Sequence, residues 1–371
     1  MADPIFSPDG KWMWTGSEWI PAPPSSASSA DSTINLHDSM MSGDVNVGQN
    51  SSDASSTIKL KDSAMSGDIN ITQNNAEDIA TAMVQALERM GFSGKSSPAE
   101  LTPSQEVEVE QVLEMSEQLA SHGIEIDPWT EITLGNAAGL AGRTHSAQQH
   151  YLRALETFRK NIDRQGEATS LNNLGTIATT RGDVAEAERF FRESVVVSRE
   201  IGDRQVEVAS LNNLGTIADD LAEAERFFRE SVVVSREIGY RLNEANSLIG
   251  LGNIAQKRGD LAEAEHLQRE SLAIMREIGD RQGESKSLSY LGSIAQTRGD
   301  LTEAERLFRE SVVLSREIGY REGEASSLVN LAVIAQSRND PTEQRRLNTE
   351  VVRIWREIGI PIDQWYIDNG Y

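Results

Sequence analysis

The apolar residues follow a helical period from about residue 127 to residue 359, and the same pattern returns six times in that stretch. Leucine, alanine and aromatic residues recur three or four positions apart, which places them on one face of a helix. The clearest copy runs from Thr169 to Ala209 and is interrupted at Gly182 and Gly202. Each copy is therefore predicted to hold two helices joined by short turns.

The helix ends are predicted from the residue types that suit them. A glycine, or Asn339 in the last copy, suits the left-handed residue after the first helix. An aspartate follows and is expected to cap the second helix, with a glutamate three residues later in capping-box spacing. These aspartates are Asp183, Asp260, Asp300 and Asp340. The second helices are predicted to end at Gly202, Gly239, Gly279, Gly319 and Gly359.

A leucine–glycine pair marks the first helix of each copy. It first stands at Leu134-Gly135 and recurs from there at spacings of 40, 40, 37, 40 and 40 residues, with Ala332 in the glycine position of the last copy. In the second helix, Ala187 is followed four residues later by Phe191, and most other copies repeat this pair. Small residues let two helices approach closely, and the aromatic ring is expected to fill the space beside them.

The pattern Leu171-x-x-Leu174-Gly175-x-x-Ala178, followed by Ala187-x-x-x-Phe191, resembles the tetratricopeptide repeat signature. The unit is longer than the common repeat and resembles the 40-residue subclass of the Leu-Gly-Asn repeat adaptors, whose motif is present at residues 134–136 and 251–253. This resemblance implies an all-α superhelix, an α-solenoid of antiparallel helix pairs. It also implies a function in binding other proteins.

Two copies depart from this pattern. The third lacks three residues after Ala218, so its first helix is predicted to be nearly one turn shorter. The sixth has Ala332, Gln344 and Asn348 where glycine, alanine and phenylalanine are expected. Polar residues facing outward suit a terminal repeat, and residues 360–371 are predicted to fold over that end.

The residues before the repeats carry other patterns and are predicted to form attachments. Ser32–Leu36 matches Ser56–Leu60 at a period of 24 residues, which indicates stacked β-hairpins or two coils of a small β-solenoid. The helix predicted at Asn74–Met90 has an apolar stripe, which favours packing on this β-rich segment and leaves oligomer formation as an alternative. The predicted division is: 1–24, Trp-rich hairpin; 25–31, linker; 32–74, two β repeats; 75–91, amphipathic helix; 92–103, linker; 104–126, capping helix; 127–359, six repeats; 360–371, C-terminal cap.

In a tetratricopeptide superhelix the first helix of each repeat lines the concave face. Five positions around the leucine–glycine pair fall within one stripe of that helix at 100° per residue. Asparagine and glutamine both donate and accept hydrogen bonds, so this stripe is predicted to hold an extended or helical peptide by its main chain. A solvated groove that binds nothing tightly is the alternative. The predicted partner-binding residues are Gln165, Thr169, Asn172, Thr176, Gln205, Asn212, Thr216, Asn246, Asn253, Gln256, Gln282, Lys286, Ser289, Ser293 and Gln296.

A glutamate recurs on the core side of each first helix. Glu207, Glu244, Glu284 and Glu324 fall in line with the repeat leucines, and Arg199, Arg236, Arg276 and Arg316 stand near the ends of the preceding helices. A carboxylate in a core needs a partner. Structural ion pairs are therefore predicted, in preference to acid catalysis.

Composition narrows the possible functions. The net charge of −23 disfavours nucleic acid and anionic membranes as partners, because both attract clustered Lys and Arg. There is no cysteine, which excludes disulfides and thiolate chemistry. No phosphate loop, dinucleotide motif or nucleophile elbow is present, and the spacing of His145 and His150 does not suit a shared metal on one helix face. A non-enzyme without cofactor or metal is predicted, and with no signal peptide or membrane span, a cytoplasmic one.

Three hypotheses follow. The leading one is an adaptor that binds a protein or peptide partner in the groove. The second is a self-assembling structural protein that forms a homo-oligomer through residues 32–91. The third is an autoinhibited sensor, in which a linker or the C-terminal tail occupies the groove.

Overall fold

The structure, a computed structural model, describes residues 76–92, 101–121 and 123–369, together with short strands within residues 5–70. The chain divides into two compact units, residues 1–150 and residues 151–371. Among the described residues, no helix is both long enough and apolar enough to cross a bilayer.

In the part of residues 5–70 that the structure describes, seven short strands precede helix α1. Their bounds are β1 Ile5–Phe6, β2 Trp12–Trp14, β3 Trp19–Pro21, β4 Thr33–His37, β5 Val45–Asn46, β6 Thr57–Lys61 and β7 Gly67–Asn70. The first three pair antiparallel in sequence order, and the other four pair in the order β4-β6-β7-β5. The residues that join these strands lie outside the described part. The predicted β-rich segment, as a folded unit, stays a prediction.

The described residues of the first unit include three complete helices and the start of a fourth. They are α1 Ala76–Arg89, α2 Pro103–Ser121, α3 Pro128–Leu140 and α4 Thr144–Asn161. Helix α1 contacts α2 and α3, and Met83, Leu87 and Met90 are buried. These three residues therefore lie in a core that α1 shares with neighbouring helices, and packing of the stripe on the β-rich segment stays a prediction.

The second unit continues as a series of helix pairs. The helices are α5 Arg164–Thr180, α6 Val184–Ile201, α7 Arg204–Ile217, α8 Leu221–Ile238, α9 Arg241–Lys257, α10 Leu261–Ile278, α11 Arg281–Thr297, α12 Leu301–Ile318, α13 Arg321–Ser337, α14 Pro341–Glu357 and α15 Gln364–Asp368. Consecutive helices pack on each other, and first helices also contact the next first helix, as α5 contacts α7. The paired helices predicted from the sequence are confirmed.

The leucine–glycine pair provides room for an aromatic ring. A Cβ atom added to Gly175 would lie 2.5 Å from the ring of Phe191, and one added to Gly292 would lie 2.8 Å from Phe308. Both distances are far below van der Waals contact, so only glycine admits the ring at this depth. Phe191 is 1 % exposed and Phe308 is 0 % exposed. The aromatic residue therefore packs directly on the motif glycine of its own repeat.

The predicted aspartate caps are present, but the capping box is not complete. Asp183 Oδ1 accepts from the N–H of Glu186 at 3.0 Å, as predicted. The N–H of Asp183 donates to Ala178 O at 2.9 Å, so it is not available to the Glu186 side chain. This bond belongs to the glycine turn before the cap, where Gly182 has φ +78°. The turn and the cap together satisfy the backbone groups between the two helices.

The two departing repeats follow the sequence only in part. Helix α7 has 14 residues where α5 has 17, which confirms the shortened helix of the third copy. Asn348 is 2 % exposed, so the prediction that it faces outward is wrong. It occupies the place of a core phenylalanine, and the helix pairing buries that position whatever residue stands there. In the tail, Tyr366 packs on the last core cluster and meets Trp355 edge-on at 5.0 Å, while Trp365 is exposed.

Candidate functional site

The fifteen predicted residues share one exposed surface of α5, α7, α9 and α11, which we call the first-helix face. None of them is buried, although the leucines between them are. The exposed ones are Gln165, Thr176, Gln205, Thr216, Asn246, Gln282 and Lys286. The half-buried ones are Thr169, Asn172, Asn212, Asn253, Gln256, Ser289, Ser293 and Gln296. The helical period therefore placed this stripe on the solvent side of the first helices.

The threonine hydroxyls on this face are bound to their own helices. Thr169 Oγ1 donates to Gln165 O at 3.0 Å, and Thr176 Oγ1 donates to Asn172 O at 3.2 Å. Thr216 Oγ1 donates to Asn212 O at 2.9 Å. Each hydroxyl proton is used, so these threonines offer a ligand only oxygen lone pairs and a methyl group.

Two asparagines link neighbouring repeats and offer less to a ligand than predicted. Asn172 Oδ1 accepts from Ser210 Oγ and from Asn213 Nδ2, both at 3.1 Å. Asn212 Oδ1 accepts from Ser247 Oγ at 2.6 Å. The carbonyl groups are therefore occupied by the next repeat. These side chains meet a ligand mainly as donors, which corrects the prediction of equal donor and acceptor character.

The serines that hold the asparagines were missed from the sequence. Ser210 and Ser247 are fully buried and also bond to Ser194 and Ser231 on the adjacent second helices, both at 2.8 Å. The sequence does contain a sign of these serines, because a serine precedes the first leucine of the motif in every first helix of this unit. These residues are Ser170, Ser210, Ser247, Ser287 and Ser327.

An aromatic group accompanies the single cation of the face. Lys286 Nζ lies 5.5 Å from the ring centroid of Tyr320, within the range of a cation–π contact. Burial raises the pKa of Tyr320, against the opposing effect of its hydrogen bond with Gln282. Tyr320 precedes α13 without capping it by its side chain, unlike the aspartates elsewhere. This end of the face is thus the more aromatic one.

The ion pairs predicted near the face are structural. Glu207 is 2 % exposed and accepts from Arg199 Nε and Arg204 Nη1, both at 2.7 Å. Arg204 also reaches Glu237 on the next second helix at 2.6 Å. The same arrangement returns at Glu167, Glu244, Glu284 and Glu324. The predicted pairing is confirmed, and these carboxylates are committed to joining repeats.

A second candidate surface lies between successive second helices. A cleft of about 770 Å³ separates α10 from α12, and a similar one of about 450 Å³ separates α12 from α14. In the larger cleft, Arg269 pairs with Glu265 at 2.6 Å and Arg306 pairs with Glu303 at 2.7 Å. Charges that neutralise one another leave little for a ligand to complement. The first-helix face is therefore the better candidate.

One buried cluster has residues of the kind used in catalysis. In the first unit, His150 Nδ1 lies 2.6 Å from Glu131 Oε2, and His150 Nε2 lies 3.4 Å from Ser116 Oγ. Ser116 and His150 are 0 % exposed, and the Ser116 hydroxyl donates to Leu113 O at 2.7 Å. A substrate has no access to this serine, so the cluster is a packing element. Among the described residues, no group of three or more His, Asp or Glu could hold a metal.

Family models described as tetratricopeptide repeat match residues 126–200 and 206–277, and residues 286–318 and 325–358. These segments cover more than half of the chain. The chain belongs to the tetratricopeptide repeat family. Proteins built from these repeats are generally non-enzymatic scaffolds for protein–protein interaction. Membership of the 40-residue subclass stays a prediction.

Solved structures share the fold at low sequence identity. RapI in its apo form is 11 % identical with a TM-score of 0.60, covering 77 % of this chain and 99 % of that chain. The STAND protein PH0952 from Pyrococcus horikoshii has a tetratricopeptide repeat sensor. It is 13 % identical with a TM-score of 0.55, covering 78 % of this chain and 47 % of that chain. The Rap regulator of plasmid pLS20, in complex with the Phr* peptide, is 17 % identical with a TM-score of 0.51, covering 65 % of this chain and 67 % of that chain. A search of the curated proteins gave no match.

Proposed function

We propose that this protein is a non-enzymatic adaptor that binds a peptide, or an extended segment of a partner protein, on the first-helix face. The observation that supports this proposal is that none of the fifteen stripe residues is buried, seven of them being exposed, beside buried leucines. Each side-chain amide has two N–H donors, and Gln165, Asn212 and Gln256 each use one of them within the protein. The Rap regulator with its Phr* peptide, which shares the fold, supports a peptide as the ligand.

The ligand is expected to lie across several repeats. First helices of packed repeats are separated by about 8–10 Å, the usual distance between helix axes. An extended chain rises about 3.3 Å per residue, so one repeat corresponds to about three residues of peptide. Side-chain donors on α5, α7 and α9 can then each meet a main-chain carbonyl. The face has a single cation, Lys286, so recognition rests on hydrogen bonds more than on charge.

The test uses the full chain and a displayed library of random dodecapeptides. The selected peptide is measured against the double variant Gln205→Arg, Asn246→Arg, which places two long cations on exposed positions of α7 and α9. We expect binding to weaken at least about tenfold with an unchanged melting temperature. Asn172 and Asn212 are poor choices, because their substitution also breaks hydrogen bonds between repeats.

A matched control lies on the second helices. Val196 and Val233 are 55 % and 56 % exposed, and the double variant Val196→Arg, Val233→Arg adds the same charge to α6 and α8. Its affinity for the peptide is expected to equal that of the wild type. Weaker binding by this control, with no effect of the first-helix variant, would move the site to the second helices.

Self-assembly through residues 32–91 remains a second proposal, and it now rests on the β repeats of residues 32–74. Met83, Leu87 and Met90 of α1 are buried, and α1 contacts α2 and α3, so these three residues are not available to another copy. Light scattering on the full chain and on a chain without residues 1–74 separates the two functions. A monomer in both cases would exclude assembly.

The domain limits, the cytoplasmic location and autoinhibition by a linker or the tail also stay proposals.

A further inference from the structure

The fourth repeat has a glutamine where three other repeats carry phenylalanine, the first Tyr151 and the sixth Asn348. Gln268 on α10 takes the place of Phe191, Phe228 and Phe308, and it is 0 % exposed. A Cβ atom on Gly252 would lie 2.7 Å from its Nε2 atom, so the side chain enters the same glycine gap that admits a ring elsewhere. A buried carboxamide destabilises a core unless it is fully hydrogen-bonded. Its presence here therefore requires a reason other than packing.

The hydrogen bonds of Gln268 point towards the first-helix face. Its Nε2 group donates to Ile249 O at 3.2 Å and to Asn253 Oδ1 at 3.3 Å. Because a main-chain carbonyl can only accept, Ile249 fixes the amide orientation of Gln268. Its Oε1 atom is buried and has no hydrogen-bond partner among the described residues. The glutamine thus leaves one group unsatisfied while it holds Asn253.

An asparagine follows the motif glycine in two repeats, as Asn136 in the first and Asn253 in the fourth, and the second helix of the first repeat has Tyr151 at the place of Gln268. The residue after the motif glycine is Thr176, Thr216 or Ser293 in the repeats that have phenylalanine in the second helix. It is Asn253 in the repeat that has Gln268. The threonines bond to their own helix and need no partner from the second helix. The contact between Gln268 and Asn253 is thus particular to the fourth repeat, and its case rests on the hydrogen bond between the two side chains.

We infer that Gln268 is a positioning residue, which holds the carboxamide of Asn253 so that its N–H donors face a ligand on the first-helix face. With Oδ1 bound to Gln268, the Nδ2 group lies on the opposite side of the planar amide. It offers donors to a main-chain carbonyl of the bound peptide. This inference rests on the proposed function. The unsatisfied Oε1 atom is consistent with a core position that serves a site at the expense of stability.

The first experiment uses the free full-length protein. Gln268→Phe restores the residue of the neighbouring repeats, so this variant is expected to fold and to melt at a higher temperature. The side-chain amide signals of Asn253, identified by their loss in Asn253→Ser, are recorded by ¹H–¹⁵N NMR. In the wild type we expect these signals to have chemical shifts distinct from those of mobile asparagine side chains. In Gln268→Phe we expect them to move to the shifts of the mobile side chains. Unchanged signals would overturn the inference.

The second experiment measures the selected dodecapeptide against the wild type, Gln268→Phe, Asn253→Ser and the double variant. Gln268→Phe is expected to bind about three- to tenfold more weakly while being more stable, as for the loss of one oriented hydrogen bond. The double variant should bind no more weakly than Asn253→Ser, because Gln268 acts through Asn253. Additive losses, or wild-type affinity of Gln268→Phe, would contradict the role.

The two proposals fail in different ways. If no peptide is selected on the full chain, the proposed function fails, and the NMR signals of the free protein still decide whether Gln268 orients Asn253. If a peptide binds and the first-helix variant weakens it while Gln268→Phe does not, the function stands and the positioning role is refuted. Gln268→Leu provides a second apolar variant if the ring does not fit.

Discussion

His150 and Glu131 form a buried pair in the first unit, with Nδ1 of the imidazole 2.6 Å from Oε2 of the carboxylate. The equivalent residues of the next repeat are Phe190 and Leu171, so a polar pair replaces an apolar one. The ring of His150 also meets Ser116 of α2 at 3.4 Å. The pair thus joins α2, α3 and α4 at the start of the repeats.

Substitution of this pair should reveal how a buried polar contact contributes to stability. His150→Phe alone leaves the Glu131 carboxylate buried without its imidazole and is expected to lower the free energy of unfolding by about 3 kcal/mol. The double variant Glu131→Leu, His150→Phe copies the second repeat and should lie within about 1 kcal/mol of the wild type, or be more stable. Denaturant unfolding followed by circular dichroism measures both. A double variant as unstable as the single one would contradict this account.

The Arg–Glu pairs between repeats predict a different response at buried and exposed carboxylates. Glu207→Gln removes the charge that Arg199 and Arg204 share, and the loss is expected to be about 1–2 kcal/mol, reduced by the partial exposure of both arginines. Glu188→Gln is the matched control, because Glu188 and its partner Arg192 are both exposed. It should change stability by about 0.5 kcal/mol or less. Equal losses would show that burial of Glu207 is not decisive.

The glycine of the leucine–glycine pair is expected to tolerate no side chain. Gly175→Ala would place a Cβ atom 2.5 Å from the Phe191 ring and should lower the unfolding free energy by about 1–3 kcal/mol. Gly139 in α3 has nothing within 4 Å of an added Cβ atom. Gly139→Ala should therefore be neutral, or stabilising by up to about 1 kcal/mol, through helix propensity. Thermal melts of the two variants compare the effects, and a destabilised Gly139→Ala would argue against the steric explanation.

Exposed ion pairs predict how stability depends on pH. The hydrogen bond from Arg306 lowers the pKa of Glu303. A lowered pKa in the folded state adds stability above the unfolded pKa of about 4.3, and this stability disappears as the pH falls through the lowered value. Arg306→Gln should therefore reduce stability by about 0.5 kcal/mol at pH 7, since the pair is largely exposed. The difference from the wild type should shrink below about pH 4; a difference that grows in acid would contradict the assignment.

Most of the fold could be read from the repeats because each helix end is specified locally. Gly182 and Asp183 fix a turn and a cap within four residues of sequence, so no distant contact is needed to predict them. The packing of α1 could not be read in this way. An apolar stripe shows that Met83, Leu87 and Met90 are buried but does not show against which element.

The candidate site was predictable in position but not in chemistry. A helical period places Asn172 and Asn212 on the solvent side of their helices, and the structure agrees. The partners of their carbonyl groups, Ser210 and Ser247, belong to the next repeat and lie 38 and 35 residues away in sequence. Hydrogen bonds over that separation depend on how two repeats stack. Gln268 was missed for the same reason, because its sequence position predicts only that it is buried.

The sequence by itself determined the repeat family, the helix pairs, their turns and the exposed face, because these follow from local preferences and from the period of apolar residues. The tertiary structure alone decided which groups on that face remain available. It turned the carbonyls of Asn172, Asn212 and Asn253 towards neighbouring side chains, and it buried Asn348 against expectation. The physical reason is that a hydrogen bond between two side chains depends on their separation in space, which only the packing of one helix on another defines.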